Sequence, residues 1–337
     1  MDTDTRESFN DETARRMNEL QIFLDKWKDL PAQRTQQWYD DRTYSIGASE
    51  IPTLLGELLK KKINPYQTVR SLIAGKCGLT RIDDKTAMNW GTVLENVVKM
   101  ITELVFACKI EEMGSVPTVG MRAQRSSPDG VAVVPCLGNK IVSFEFKAPK
   151  NRIPKGMVPA YYKPQVLTCL CAVEPSDVGI FVDCVIRRCS ITDWRFDSDQ
   201  YDLAYHKNVS MGFPVALGAL YFYQENSKSE NDGARTEPPI DLGTCEPAIF
   251  DSIFARTTAH ELRVEYHRIL TNGGESQPDW ATETAGRENC VAIMPFKVMK
   301  LIIVPVAKEP GYIIQFQPLI DQIVNTVRKV LEVPEDN

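Results

Sequence analysis

The chain predicts an α/β protein whose core is a central mixed β-sheet flanked by α-helices. Three observations carry that expectation. Residues 87–108 place Leu94, Val97, Val98, Ile101, Leu104 and Val105 on one stripe of helical spacing. Residues 126–147 hold two β-rich runs around Gly138-Asn139, the pattern of a hairpin. An apolar, helix-like run over 161–173 then precedes a buried strand at 178–186. Helix, hairpin, helix and strand in succession describe helices layered on a sheet.

At 337 residues the chain suffices for one large domain or two modest ones. Its 43% hydrophobic and 25% charged residues are ordinary for a globular protein. No apolar run approaches the length that crosses a membrane, and polar residues 1–18 show no secretory pattern, so the expected location is intracellular. Nine cysteines, with no Cys-x-x-Cys pair, read as buried thiols in a reducing compartment. Only three histidines exist (His206, His260, His267), which argues against zinc and against His-dependent nucleophilic catalysis. The net charge of −6 does not mark a nucleic-acid binder, but totals hide local fields. Between 147 and 163 stand Lys147, Lys150, Arg152, Lys155 and Lys163 with no acid, beside Tyr161 and Tyr162. That stretch is either a solvated loop or a contact for a polyanion.

Taken in order, Met17, Leu20, Leu24 and Trp27 mark a first helix that Pro31 stops. Gly47-Ala48-Ser49 before Ile51-Pro52 reads as a turn opening a helix, with Ser49 as N-cap and Pro52 in its first turn. A hydroxyl there, near an arginine, can hold a phosphate, and simple capping accounts for the same residues. Lys60-Lys61-Lys62 and Asn64-Pro65-Tyr66 form a basic loop. Gly75-Lys76 shares little with a phosphate-binding loop, because Arg70 replaces the first glycine and Cys77 the required Ser or Thr. Glu95, at the edge of its stripe, is a solvated flank residue or faces a cleft. Residues 226–240 read as a polar linker, 247–270 as helix, and 271–288 as a second polar stretch. A strand at 298–306, a turn at 308–311, a short strand or helix start at 312–316 and a helix at 319–331 follow.

A hairpin centred on Gly138-Asn139 sets Lys147 opposite Gly130 and gathers Asp129, Glu145 and Lys147 at its open end. Alternation puts Glu145 and Lys147 on one face and Phe144 and Phe146 on the other. Two carboxylates and an amine suit a hard divalent cation and a water. The same residues also fit a surface ion pair contributing under about 1 kcal/mol.

Five motifs stand in order: Trp38 and Arg42 ahead of Ser49 in Gly-Ala-Ser-Glu; Glu95 closing Trp90-Gly91-Thr92-Val93-Leu94-Glu95; Ser127-Pro128-Asp129-Gly130; Glu145-Phe146-Lys147; and Tyr161 to Gln165. Together they resemble the lambda-exonuclease type of nuclease, the YqaJ viral recombinase family of the PD-(D/E)xK superfamily, in a style closer to the branches carried by large DNA viruses. The resemblance covers 38–190, and 295–324 is similar to the family's later strand and helix. It implies a restriction-endonuclease-like nuclease core over 38–225, preceded by a helical segment at 1–37. A 226–290 insertion or linker with a helix would follow, then a 291–337 strand and helix packing on the core.

The resemblance also implies Mg²⁺, with Mn²⁺ as substitute and two ions in the site. Asp129 would bridge them, and Glu145 with the Phe146 backbone carbonyl would complete the first. Glu95, directly or through water, and Gln165 would hold bound waters or the nucleophile, while Lys147 orients or helps deprotonate the attacking water. Arg42, Ser49 and Ser127 would grip a phosphate, and Lys150, Arg152 and Lys155 would follow the DNA. The implied activity is 5′→3′ exonuclease on double-stranded DNA ends in viral recombination, repair or genome processing. Its alternatives are an endonuclease acting on DNA or RNA and a non-catalytic DNA-end-binding protein. The implied partners are double-stranded DNA ends, with a single-strand annealing protein, RNA and further copies of the chain as additional candidates, and no membrane. The implied compartment is the host cytoplasm or nucleus.

Overall fold

The computed structural model describes residues 3–80, 85–201, 211–224, 239–266, 269–271, 287 and 289–332. In chain order its helices are α1 (Thr3–Lys26), α2 (Gln36–Thr43), α3 (Ile51–Leu58), α4 (Val69–Lys76), α5 (Thr86–Phe106), α6 (Lys163–Ala172), α7 (Pro247–Thr258) and α8 (Gln317–Val330). The strands are β1 (Ile46–Gly47), β2 (Val116–Pro117), β3 (Gln124–Ser126), β4 (Gly130–Val134), β5 (Lys140–Lys147), β6 (Val178–Arg188), β7 (Ala216–Gln224), β8 (Ile240–Asp241), β9 (Leu262–Tyr266) and β10 (Cys290–Ala307).

The main sheet runs β4-β5-β6-β10-β7-β9, with β8 pairing β10 off that path. β5 and β6 are parallel and are joined through α6, whereas β4–β5, β6–β10, β10–β7 and β7–β9 are antiparallel. The sheet is therefore mixed, as the sequence implies. A small second sheet, β1-β3-β2, carries the chain from the N-terminal helices to the hairpin.

Side-chain alternation decides what covers each face. Val142, Phe144, Phe146, Val182 and Ile186 share one core with Trp90, Val97 and Ile101 of α5 and Phe250 and Phe254 of α7. Each such buried side chain contributes about 1.5–3 kcal/mol relative to exposure. On the opposite face, Val166, Leu167 and Leu170 of α6 pack on Phe181 and Val306. Ile51 and Leu54 of α3 join Ile320 and Val324 of α8 in a further cluster. Leu20 and Phe23 of α1 cover Val131, Val133 and Ile141 at the hairpin edge.

Several expectations change. Met17 is exposed, and Phe23 takes its place on the buried stripe of α1. Leu104 and Val105 are exposed too, and the buried face of α5 instead adds Trp90, Val93 and Phe106. The helix expected over 247–270 stops at Thr258. His260 takes a left-handed φ of 60°, and the chain turns back as edge strand β9. Residues 312–316 form a 3-10 turn leading into α8. β7 has no counterpart in the sequence reading, and β10 starts at Cys290 rather than 298. β10 is also no appendage, since it pairs with β6 on one side and β7 on the other. Most of the expected polar stretches 226–240 and 271–288 lies outside the described residues. All nine cysteines are free, but only Cys169, Cys184, Cys189 and Cys290 are buried.

The hairpin register also differs. Gly130 faces Phe144, not Lys147, because Pro135–Leu137 forms a 3-10 turn ahead of Gly138 and Asn139, both in left-handed backbone. The pairing centre moves toward the N-terminus, so Asp129 comes directly level with Glu145.

Gly130 is there for space: a Cβ at this position would lie 2.2 Å from Ile110 Cγ2, a methyl fixed to the branched Cβ that cannot swing aside without turning the side chain. Gly130→Ala is expected to destabilise the fold by about 1–3 kcal/mol. A urea titration should show a lower midpoint with an unchanged slope.

Candidate active site

Asp129 leaves the β4–β5 ladder at its open end while still bonded to it. Its backbone N–H donates to the Phe144 carbonyl at 3.2 Å. Its carboxylate accepts the Phe146 N–H at 2.7 Å, which aims it across at β5. Phe144 and Phe146 stack at 5.7 Å within the core, so alternation turns Glu145 and Lys147 to the α6 face.

Glu145 is 1% exposed. Its Oε1 accepts from Gln165 Nε2 at 2.6 Å and forms an ion pair with Lys147. Its Oε2 is buried with no hydrogen-bond partner. Lys147 Nζ also donates to the Phe146 carbonyl at 3.0 Å, stands 3.9 Å from Asp129 and lies 5.1 Å above the Tyr162 ring. Glu95 of α5 reaches the same cluster, held by Arg34 Nη2 at 2.6 Å. Asp129, Glu95 and Arg34 line one cleft of about 690 Å³.

The electrostatics follow from burial. Desolvation pushes Glu145 up to about 8, with the Asp129 charge adding and Lys147 opposing. Desolvation pushes Glu95 up to about 7, again with Asp129 adding, against Arg34. Asp129 is raised by burial against the pull of Lys147. Burial alone would lower Lys147, but Glu145 and Asp129 override it and hold the ammonium well above its usual range. Three carboxylates thus share too little positive charge.

An orphaned, buried carboxylate oxygen among oxygen donors fits a hard cation. Asp129, Glu145 and the Phe146 carbonyl are the donors that could hold it. Among the described residues no three His, Cys, Asp or Glu side chains already converge as a closed cage. The Lys147 ammonium rests against Glu145, and Arg34 keeps Glu95 to one side.

The phosphate-binding candidates also come together. Trp38 Nε1 donates to Ser127 Oγ at 3.2 Å, and the Arg42 guanidinium lies 4.5 Å above the Trp38 ring. Arg42 Nη2 donates to Ser49 Oγ at 3.3 Å. Gly47 makes room for this fork, since a Cβ there would stand 2.7 Å from Arg42 Nη2. Ser49 is not the helix cap: it sits inside a 3-10 turn, and Glu50 does the capping by accepting the Gly47 N–H at 2.7 Å. The Ser49 hydroxyl is therefore left for Arg42 or a ligand. Arg42, Ser49, Tyr162 and Gln165 line a second cleft, of about 640 Å³. Lys76 closes α4 and is buried, donating to the Arg42 and Ser45 carbonyls, so it holds the loop and meets no nucleotide.

The basic loop is only partly available. Arg152 makes a two-bond ion pair with buried Asp183, at 2.5 and 2.8 Å. Lys150 lies 3.5 Å from Asp251. Arg152 serves the fold, because the buried Asp183 needs a counter-charge. Lys155 alone of the three is exposed. Two site residues escaped the sequence reading. Arg34 takes a left-handed φ of 68° that nothing in its neighbourhood announces. Tyr162 stands in a stretch noted for charge, although its place before the Gln165 helix was a usable signal.

Residues 37–173 match the model of the YqaJ-like viral recombinase domain, so the resemblance read from the five motifs holds. Over 341 residues the chain is 26% identical to "Protein D345L" of African swine fever virus from the Pretoriuskop tick isolate. The match covers 94% of this chain and 91% of that protein. The same protein of the Badajoz strain is equally similar. Among solved structures, an alkaline exonuclease from Laribacter hongkongensis is 18% identical, alone and in complex with dAMP. The match covers 44% of this chain and 73% of that one at a TM-score of 0.34. No helix among the described residues is long and apolar enough to cross a membrane.

Raised carboxylates favour the fold in their protonated form. That contribution is complete below about pH 4.5 and is lost as pH rises through about 7 and 8. Glu145→Gln removes one of these groups. Without metal, its melting temperature should therefore gain on wild type between pH 6 and pH 9, as read by circular dichroism. A constant difference across that range would contradict the electrostatic description.

Proposed function

We propose that this chain is a metal-dependent deoxyribonuclease of DNA recombination, most specifically a 5′→3′ exonuclease acting on double-stranded DNA ends. The observation that carries the reading is the buried, unpartnered Oε2 of Glu145, set among Asp129, Glu95, Lys147 and Gln165. The match of 37–173 to a viral recombinase domain supports the biological setting.

Asp129, Glu145 and the Phe146 carbonyl would hold Mg²⁺, or Mn²⁺ in its place, with Glu95 serving a second ion directly or through water. Bound there, such ions supply Lewis-acid charge to the phosphoryl and attacking oxygens. The chain's own groups do the rest. Lys147, as an ammonium, donates a hydrogen bond and stabilises developing negative charge rather than taking a proton. Gln165 fixes the rotamer of Glu145. Arg42 and Ser49 offer donors to a phosphate, Arg42 in the planar fork that fits it. Trp38 keeps Arg42 flat and Ser127 in place.

Asp129→Asn and Lys147→Ala should each lower turnover on linear duplex DNA with Mg²⁺ at least about hundredfold while circular dichroism stays native. Near-wild-type turnover by Lys147→Ala would refute the mechanism. A covalently closed circle should survive while linear DNA is degraded; cutting of the circle favours an endonuclease.

Arg42→Ala should lose at least about tenfold in kcat/KM on 5′-phosphorylated ends, the scale of one charge-assisted hydrogen bond. The loss on unphosphorylated ends should be smaller. Equal losses would remove the end-binding role.

A further inference from the structure

The geometry points to a base-stacking platform beside the site, built by Tyr66 and Tyr161, that takes unpaired nucleotides of the bound DNA strand. This rests on the nuclease reading for its substrate, while its geometry stands independently of the metal.

Four aromatic rings form a ladder from the core to solvent. Phe181, fully buried, lies 5.5 Å from Tyr162. Tyr162 lies 4.4 Å from Tyr161, and Tyr161 meets Tyr66 edge-on at 5.8 Å and 88°. The inner end touches the chemistry, since Lys147 stands over Tyr162. The outer end is bare: Tyr66 is 81% exposed.

Tyr66 is nevertheless held in place. Asn64 Oδ1 accepts the Tyr66 N–H at 3.0 Å, and Asn64 Nδ2 donates to Thr53 Oγ1 at 2.8 Å. Thr53, itself buried, donates in turn to Gln67 Oε1 at 3.0 Å. The loop is thus pinned on both sides of an aromatic ring that gains almost no burial from the fold. A rigid ring presented to solvent at the rim of the 640 Å³ cleft is what a flat ligand face needs.

Charge selects the ligand. Lys61 and Lys62, just before this loop, are exposed and have no ionic partner among the described residues, and Arg42 and Ser49 lie in the same cleft. Aromatic rings interleaved with free cations bind single-stranded nucleic acid, the rings taking base faces and the cations phosphates. A strand whose phosphate sits at Arg42 would have its neighbouring bases within the cleft that Tyr66 and Tyr161 line. Such bases must be unpaired, because a ring can stack on them only where the duplex has opened.

The test uses the full-length protein in EDTA and DNA oligonucleotides carrying 2-aminopurine at successive positions from the 5′ end. Quenching is expected at one or two consecutive positions, lost in Tyr66→Ala and kept in Tyr66→Phe. Affinity of Tyr66→Ala should fall at least about fivefold for a single strand, the effect of one stacked base, and stay unchanged for an abasic tract. Quenching identical in wild type and Tyr66→Ala, or equal losses on abasic DNA, would overturn the platform. A protein that degrades linear DNA without Tyr66-dependent quenching refutes the platform and leaves the nuclease. One that quenches but gives no Mg²⁺-dependent product does the reverse.

Discussion

The hydrogen bond from the Phe146 N–H to the Asp129 carboxylate is the contact on which the site depends. It joins Asp129, one residue before Gly130, to Phe146, two residues beyond Phe144, past the last pair of the ladder, Gly130 and Phe144. A side chain thus takes the place of the strand partner that Phe146 lacks on the β4 side of β5. The rotation of β5 is then set by Phe144 and Phe146 stacking into the α5 side of the core. Given that rotation, Glu145 and Lys147 have only the opposite face to occupy. Burying two phenylalanines at about 1.5–3 kcal/mol each offsets placing charge in a poorly solvated position. The core thereby holds in place an arrangement that electrostatics alone would not choose.

The charges around this hairpin are distributed unevenly. At the edges, carboxylates are matched: Arg152 covers Asp183 with two bonds, and Lys76 covers Glu50. At the centre, Asp129 and Glu145 share the single Lys147, and one Glu145 oxygen has no partner at all. Matching at the rim keeps the surrounding walls stable, while the deficit is confined to the place where a cation and a phosphate would enter.

Much of the site was legible in sequence because its residues lie close together along the chain. Asp129, Glu145, Lys147 and Gln165 belong to one hairpin and the helix after it, so alternation and short spacing carry most of their geometry. What failed was non-local. The register was misjudged because a proline-led 3-10 turn displaced the loop centre without changing its Gly-Asn signal. Lys150 and Arg152 read as free cations, since their partners Asp251 and Asp183 lie on other elements. Leu104 and Val105 read as core because periodicity does not say where the sheet ends. β7 and the first half of β10 went wrong together: Ala216–Tyr223 and Cys290–Met299 are continuously buried and lack the alternation that marks a half-exposed strand.

The position of β10 bears on how the site is kept. It supplies no residue to the carboxylate cluster, yet it pairs with β6 along almost the whole of that strand. β6 in turn sets the parallel register of β5, placing Phe181 level with Glu145 and Asp183 level with Lys147. The last third of the chain therefore acts on the site through two layers of strand pairing rather than through contact. In β6, Asp183 anchors Arg152 and Phe181 supports Tyr162, so one strand carries both the charge balance of the hairpin and the base of the tyrosine ladder. Loss of the β6–β10 pairing would strip β6 of its second partner and loosen both at once. This is why residues so far from Asp129 in sequence belong to the same functional unit.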